Sequence, residues 1–172
     1  MTWVWIILVI VICQRVIELV IAKRNEAWML QQGGIERGAD HYKWFIVVHL
    51  LFFVSIFIES LTIHGHSLNY FLLSVFIFTQ IIRVWCIFSL GKFWNTKVII
   101  LPGTTLRTTG PYRFLKHPNY IIVGVELFII PLLLGAYLTA IIFPLLHIYL
   151  LVRWRLPIEE KALSDIRSMK KG

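Results

Sequence analysis

The sequence predicts an all-α integral membrane protein with about five transmembrane helices, a cytoplasmic connecting segment and a C-terminal helical hairpin. Of its 172 residues, 58% are hydrophobic and 15% are charged. A chain of this size cannot bury so many apolar side chains in a water-soluble core. Apolar stretches of roughly 20 residues, the length that crosses a bilayer as a helix, recur along it. Lipid must therefore cover much of its surface.

The predicted spans lie within a single membrane domain that covers residues 1–172. Cys13 and Cys86 both lie in apolar segments, far apart and without the Cys/His spacing of a zinc site. We therefore expect no metal. The spans cover about residues 3–22, 44–63, 68–90, 118–134 and 137–154.

The basic residues predict the orientation of these spans. They are concentrated in the first connection, the third connection and the tail after the fifth span, so the positive-inside rule puts those segments in the cytoplasm. The N-terminus is then outside, and the C-terminus and active site are cytoplasmic. The net charge of +8 is spread between apolar spans, so no nucleic-acid partner is expected. Arg15 and Arg83 lie within predicted spans, and the basic residues of the three cytoplasmic segments are Lys23, Arg24, Arg37, Lys43, Lys92, Lys97, Arg107, Arg113, Lys116, Arg153, Arg155, Lys161, Arg167, Lys170 and Lys171.

Charged residues also occur inside the predicted spans. Arg15 and Glu18 are three residues apart and share a helix face, so we expect them to pair. Arg15 then either extends to the membrane interface or takes part in a site. Glu126 lies about two turns into the fourth span and must face the protein interior, where we expect it to pair with Arg83 or Arg15.

Other features have simple structural interpretations. His49 is expected to be a hydrogen-bonded interior histidine, and Glu59 is expected to face water at the outer end of its span. Phe93 and Trp94 are typical of an aromatic anchor at the membrane interface. Residues 98–101 form a β-branched run that predicts a short strand.

Two polar segments, residues 106–120 and 153–163, are joined by the predicted hairpin and should meet at one membrane face. Thr109 is expected to cap a short helix that starts at Pro111, and Pro118 is expected to start the fourth span. Two helix N-termini would then lie close together. Each offers unpaired backbone N–H groups to a carboxylate or phosphate.

These two segments suit a small zwitterionic molecule, and S-adenosylmethionine fits on chemical grounds. Its carboxylate can meet a helix N-terminus or an arginine, and its ammonium and ribose hydroxyls can meet Glu159 and Glu160. Its adenine can stack on a tyrosine or histidine. The alternative is that Arg153 and Arg155 only anchor the helix at the headgroups, and the residues alone favour that alternative.

The two segments resemble the signature of the isoprenylcysteine carboxyl methyltransferase family. The family pattern is Arg-His-Pro-x-Tyr, a hydrophobic stretch and Glu-Glu. This chain has TGPYRFLKHPNY at residues 109–120 and RLPIEEKAL at residues 155–163. Leu90, Gly91 and Trp94 also look like family features, whereas the first two spans match loosely. Lys116 replaces the usual arginine, which keeps the charge but loses the bidentate fork.

The resemblance implies an enzyme that uses S-adenosylmethionine, and it implies roles for individual residues. Three residues are assigned to catalysis, namely Arg153, Arg155 and Glu160. Seven are assigned to cofactor binding, namely Tyr112, Arg113, His117, Pro118, Tyr120, Glu159 and Glu160.

The predicted function is methyl transfer from S-adenosylmethionine to an oxygen of a lipophilic acceptor that enters sideways from the bilayer. We favour a long-chain polyketide of the alkylpyrone type, methylated on its hydroxyl, because the tail of many carboxyl-methylating members is missing. The alternative is a protein-S-isoprenylcysteine carboxyl O-methyltransferase. An alternative of another class is a small transporter or scaffold in which Arg15, Glu18, Arg83 and Glu126 line a path.

Overall fold

The computed structural model describes residues 2–62, 67–104 and 108–169. Predicted features at Ile63, Leu106, Arg107, Lys170 and Lys171 lie outside these residues. Large apolar side chains are exposed around the outside of the helices, as expected where lipid is the solvent. The helices are α1 (Thr2–Gln31), α2 (Ala39–Thr62), α3 (Tyr70–Leu90), α4 (Pro118–Leu134), α5 (Tyr137–Leu150) and α6 (Leu156–Met169).

Four of the described helical stretches are long and apolar enough to cross a membrane. The predicted fourth span is α4, whose 17 residues extend about 26 Å at 1.5 Å per residue. That length is below the roughly 20 residues of a typical span. The four longer stretches are Thr2–Gln31, Ala39–Thr62, Tyr70–Phe93 and Tyr137–Ala162.

The predicted hairpin is formed by α4 and α5, which pack side by side. Pro118 is the first residue of α4, where its fixed φ suits a helix and its missing N–H is not needed. Gly135 ends α4 in the left-handed conformation at φ 84°, which closes the helix and reverses the chain. Leu127, Ile130 and Leu133 bury the inner face of α4 in the core.

A charged cluster, made of Arg15, Glu18, Arg83 and Glu126, joins α1, α3 and α4 inside the bundle. Arg83 Nη1 donates to Glu126 Oε2 over 2.6 Å, and Arg15 Nη2 donates to the same oxygen over 2.7 Å. Both arginines also pair with Glu18. Gln80 donates to the second oxygen of Glu126. The expected pairing of these residues is confirmed, and the cluster holds two charges of each sign.

Glu59 is partly exposed at the end of α2, and its carboxylate is also hydrogen-bonded to α5, which was not predicted. Its Oε1 accepts the backbone N–H of Leu138 over 2.8 Å. Its Oε2 accepts the backbone N–H of Thr139 over 3.1 Å and the Thr139 hydroxyl over 2.8 Å. A carboxylate on α2 therefore caps the N-terminus of α5, where N–H groups lack helical partners and the helix dipole favours a negative charge.

We expect Glu59→Ala to lower the free energy of unfolding by about 1–2 kcal/mol, because it removes this cap. Glu59→Gln keeps an oxygen at the same place and should recover part of the loss. Unfolding in mixed detergent micelles, followed by circular dichroism, measures both changes. Equal stability of Glu59→Ala and the unchanged protein would contradict the capping role.

A small antiparallel sheet joins two connections at the polar end of the bundle, where α1 and α3 end and α2 and α4 begin. Strand β1 (Ile35–Arg37) pairs with β2 (Val98–Ile100), with Ile35 opposite Ile100. The predicted strand is confirmed at β2, whereas its partner β1 was not foreseen. Val98 and Ile100 pack with Ile158 and Ala162 of α6, so the sheet fixes α6 against the bundle.

The last helix continues beyond the predicted end of the fifth span. A π-helical turn, Leu151–Arg155, links α5 to α6, and the N–H of Leu156 bonds to the carbonyl of Leu151. Pro157 has no N–H for the carbonyl of Arg153, which explains why the ordinary helical pattern is interrupted here. The extra residue in this turn sets the rotation of the whole of α6, including its glutamates.

The segment before α4 forms a 3₁₀ turn, Gly110–Arg113, instead of the predicted helix. Thr109 makes no side-chain cap, and its hydroxyl donates to the carbonyl of Ser89 over 3.0 Å. Gly110 has φ +59°, and a Cβ there would lie 2.0 Å from Ser89 Oγ. The turn is therefore held against α3, and glycine is needed at that contact.

Candidate active site

A cavity of about 630 Å³ lies at the polar end of the bundle, the size of a small-molecule site. Its walls come from α1 to α6 and from the connection between α3 and α4. The polar residues that line it are Arg15, Glu18, Tyr42, His49, Arg83, Asn95, Thr96, Lys97, Thr104, Thr108, Tyr112, Lys116, His117, Asn119, Tyr120, His147, Arg155 and Glu159.

A network of four side chains joins the start of α4 to the last helix. The Tyr120 hydroxyl donates to Glu159 Oε2, and Arg155 Nε donates to the Tyr120 oxygen over 2.8 Å. His117 Nδ1 lies 3.3 Å from Glu159 Oε1. The rings of His117 and Tyr120 are stacked with centroids 5.3 Å apart. The hairpin therefore brings the two predicted polar segments into contact.

Five of the predicted site residues line the cavity: Tyr112, His117, Tyr120, Arg155 and Glu159. Burial raises the pKa of the Tyr112 phenol well above its ordinary value. Tyr112 is therefore a neutral hydroxyl at physiological pH, suited to hydrogen bonding and not to proton abstraction.

The other predicted site residues do not line the cavity. Glu160 is exposed and its Oε1 lies 3.0 Å from Lys116 Nζ, at the cavity rim. Pro118 is buried at the first turn of α4, and Arg113 and Arg153 are exposed. Of the two predicted arginines on the last helix, the structure brings Arg155 into the site and leaves Arg153 outside it.

Several buried polar atoms around the cavity have no hydrogen-bond partner within the described residues. They are Trp94 Nε1, Asn95 Nδ2, His117 Nε2, Asn119 Oδ1 and both ring nitrogens of His147. All five residues line the cavity. Buried polar atoms in folded proteins are nearly always paired, so these atoms are available to a ligand.

The expectation for Trp94 was wrong, because this residue is only 2% exposed and so offers no surface to lipid headgroups. A 3₁₀ turn, Gly91–Phe93, separates Trp94 from α3, and Trp94 lines the cavity. The sequence did mark Gly91 and Trp94 as family features. Only the fold, which turns the chain inward after α3, gives Trp94 its place in the site.

These residues fit S-adenosylmethionine. The N–H groups of Trp94 and Asn95 are donors suited to a carboxylate, and Asn119 Oδ1 and Glu159 are acceptors suited to an ammonium or a hydroxyl. The stacked rings of His117 and Tyr120 offer aromatic surface to a purine.

The connection that follows Trp94 supplies more of the wall than the sequence suggested. Lys97 lines the cavity and its ammonium lies 2.7 Å from Glu26 and 3.2 Å from Glu36. The hydrogen bond to Glu26 raises the pKa of Lys97 above its ordinary value. Lys97 therefore fixes this connection to the end of α1 and to β1.

The other end of the cavity lies inside the bundle and was not predicted. Arg15, Glu18 and Arg83 of the charged cluster line it, together with His49 and His147. His49 is hydrogen-bonded as expected, with Nδ1 2.7 Å from the carbonyl of Phe45. The His49 and His147 rings meet edge to face, with centroids 6.2 Å apart. Single histidines within apolar runs gave no signal that they would face a common cavity.

Part of the cavity wall also faces the lipid. Leu19 of α1 and Ile46 and Leu50 of α2 line the cavity, and they are 52%, 44% and 61% exposed on the outer surface. These three side chains therefore form an apolar part of the cavity wall that is also exposed on the outside of α1 and α2. Among the described residues, no group of three histidine, cysteine, aspartate or glutamate side chains is placed to hold a metal ion.

The fold is that of a helical membrane protein with a cavity of small-molecule size between its helical hairpin and its polar connections. The profile of the isoprenylcysteine carboxyl methyltransferase (ICMT) family matches residues 72–165, which include both polar segments. The chain belongs to this family. It is accordingly an integral membrane protein of a family of S-adenosylmethionine-dependent methyltransferases, whose members act on lipophilic substrates.

Two relatives are similar to this chain over most of their length. A Bacillus subtilis (strain 168) protein, "Uncharacterized protein YpbQ", is 40% identical over 94% of this chain and 96% of its own. A Haemophilus influenzae (strain ATCC 51907 / DSM 11121 / KW20 / Rd) "Uncharacterized protein" is 28% identical over 88% and 90%, respectively. No solved structure matches significantly. The family match does not support the alkylpyrone acceptor and is closer to the carboxyl methyltransferase alternative.

Proposed function

We propose that this protein transfers a methyl group from S-adenosylmethionine to an oxygen of a lipophilic acceptor inside the described cavity. The observation that carries the proposal is the set of unpaired buried atoms of Trp94, Asn95, His117 and Asn119 beside the network of Tyr120 and Glu159. A site with donors, acceptors and aromatic surface matches a zwitterionic nucleoside. Family membership supports the same cofactor.

The chain's own residues would bind and orient the reactants. When bound, the cofactor supplies an electrophilic methyl group. Glu159 offers a carboxylate that Tyr120 and His117 hold in place, and Arg155 fixes the Tyr120 hydroxyl. Enclosure of the reactants by apolar helices excludes water, and alignment with the nucleophile supplies much of the acceleration. We assign Glu159 and Arg155 the larger roles, and Glu160 a role at the rim through Lys116.

We further propose that the acceptor enters from the bilayer through the gap between α1 and α2, over Leu19, Ile46 and Leu50. A prenylcysteine-like acid is the preferred acceptor, because it agrees with the family and a carboxylate needs no general base. The second candidate is a substrate with a hydroxyl group on a long chain. The polar groups around His49 at the inner end of the cavity are suited to contact such a hydroxyl.

The proposal includes a topology and a single domain. All of residues 1–172 form one membrane unit with five crossings. The fourth crossing is α4, which is shorter than the others because its polar end starts at the site. The N-terminus is outside, and the polar end of the bundle, with the site, is cytoplasmic, where S-adenosylmethionine is available. The positions of Lys23, Arg24 and Lys92 near this end support that orientation.

The transporter alternative loses its main support. It required charged side chains that line a path, but Arg15, Glu18, Arg83 and Glu126 are paired with one another across three helices. Their arrangement is better explained as a structural cluster at the inner end of a binding cavity.

A methyl-transfer assay tests the proposal and separates its acceptors. Purified protein in lipid nanodiscs is given methyl-labelled S-adenosylmethionine and either N-acetyl-S-farnesylcysteine or a hydroxyl-bearing alkylpyrone. We expect a labelled methyl ester from the acid. Base hydrolyses a methyl ester to volatile labelled methanol but leaves a methyl ether intact, so this treatment identifies the product. Transfer only to the alkylpyrone would reverse the acceptor preference. No transfer to either, by folded protein, would count against the function.

A further inference from the structure

We propose that His49 Nε2 accepts a hydrogen bond from an N–H or O–H group on the polar head of the lipophilic acceptor. The inference rests on the proposed function, because the acceptor must occupy the cavity. It adds a property of the substrate, namely a hydrogen-bond donor either on the oxygen that is methylated or on a neighbouring group. It also gives the second helix, which the sequence left without a role, a part in acceptor recognition.

The hydrogen bonds of His49 define which nitrogen is available. Nδ1 lies 2.7 Å from the carbonyl oxygen of Phe45, one turn earlier on α2. A carbonyl oxygen can only accept, so Nδ1 carries the proton. In the neutral ring, Nε2 then keeps its lone pair. Among the hydrogen bonds of the described residues, His49 forms one through Nδ1 and none through Nε2. Its side chain lines the cavity, so Nε2 is available to a ligand there.

The position of His49 on α2 connects this nitrogen to the proposed entrance between α1 and α2. Ile46 lies one turn before His49 and Leu50 follows it, and both line the cavity while remaining exposed to lipid. Leu19 lines the opposite side of the gap. An acceptor whose apolar chain lies between α1 and α2 therefore brings its polar head to His49. The His147 ring, which is 3% exposed, packs edge to face against His49 and fixes its orientation.

The lone pair of His49 Nε2 can only accept a hydrogen bond, so the substrate has to supply the hydrogen-bond donor. A bare carboxylate would be repelled by Nε2, so an acid acceptor has to meet His49 through a neighbouring N–H, such as the amide of an acylated cysteine. A hydroxyl acceptor would meet it through the reacting group itself, which the contact polarises. Both substrates therefore offer His49 a hydrogen-bond donor. In the acid the donor is a neighbouring N–H group, whereas in the hydroxyl substrate it is the group that is methylated.

The first test observes the nitrogen directly and needs no turnover. Protein with histidine labelled at its ring nitrogens is saturated with S-adenosylhomocysteine and titrated with N-acetyl-S-farnesylcysteine or a hydroxyl-bearing alkylpyrone. His49→Phe assigns the His49 signals. We expect Nε2 to shift upfield with at least one probe, as a lone-pair nitrogen does on accepting a hydrogen bond. An unshifted Nε2 with both probes overturns the inference.

The second test separates hydrogen bonding from shape. His49→Phe should raise the KM for the active acceptor about tenfold, the size of one hydrogen bond, while the affinity for S-adenosylhomocysteine stays unchanged. His49→Gln, whose amide oxygen can accept a hydrogen bond at a similar distance, should reverse most of this increase in KM. N-methylation of the farnesylcysteine amide removes the N–H and should raise the KM by a similar factor in the unchanged protein. Equal KM values in all three proteins overturn the inference, whereas absent S-adenosylhomocysteine binding contradicts the proposed function itself.

Discussion

Arg83→Leu is expected to lower the free energy of unfolding by about 3–5 kcal/mol, the largest effect of any single substitution considered. Arg83 is 6% exposed and bonds to both Glu18 and Glu126. Its removal leaves two carboxylates with Arg15 alone, so the interior of the membrane helices gains an uncompensated negative charge. Neither lipid nor the neighbouring helices can solvate that charge.

A double variant distinguishes loss of charge balance from loss of packing. Arg83→Leu/Glu126→Leu restores neutrality, so it should be more stable than Arg83→Leu alone, and the two losses should not add. Arg24→Leu is the matched control, since Arg24 is exposed at the polar end of α1 and should change stability by only about 0.5 kcal/mol. Unfolding in mixed detergent micelles measures the double variant, the single variants Arg83→Leu and Glu126→Leu, and the control. Additive losses would show that the cluster is not a unit.

Glu159→Gln is expected to reduce kcat/KM for S-adenosylmethionine about 100-fold while the protein stays folded. The amide keeps the shape of the side chain but removes the negative charge of the carboxylate. In the unchanged protein this carboxylate accepts a hydrogen bond from the Tyr120 hydroxyl and lies 3.3 Å from His117 Nδ1. A charged hydrogen-bond partner contributes more than a neutral one, and Glu159 is partly buried, which is why the effect should be large.

Asp40→Asn serves as the matched control for this substitution. Asp40 is an exposed carboxylate at the start of α2, near the same end of the bundle, and it does not line the cavity. Its amide variant should have unchanged kinetics. Methyl transfer with increasing S-adenosylmethionine gives kcat and KM for both variants. If Glu159→Gln and Asp40→Asn behave alike, Glu159 has no place in the site.

The parts of the fold that could be predicted depend on local chemistry or on the cost of charges in lipid. Pro118 and Gly135 gave the bounds of α4, because one starts a helix and the other ends it. The high cost of an unpaired charge in the membrane gave the pairing of Glu126 with Arg83 and Arg15. The family motif placed His117 and Glu159 near each other without revealing the geometry.

The parts that could not be predicted depend on contacts between distant segments. Glu59 caps a helix that starts 78 residues later in the chain, and periodicity carries no information about that neighbour. Trp94 becomes buried only because the chain turns inward after α3. The rotation of α6 depends on the π-helical turn before Pro157. His49 reaches the cavity because α2 packs mainly on α5.

The most direct test of the account is a calorimetric titration of the purified, folded protein with S-adenosylhomocysteine. We expect one binding site per chain. We also expect Asn119→Leu, which keeps the size of the side chain but removes the unpaired buried acceptor, to weaken binding about tenfold or more. A folded protein that binds no S-adenosylhomocysteine, or an Asn119→Leu variant that binds it equally well, would contradict the assignment of this cavity to the cofactor.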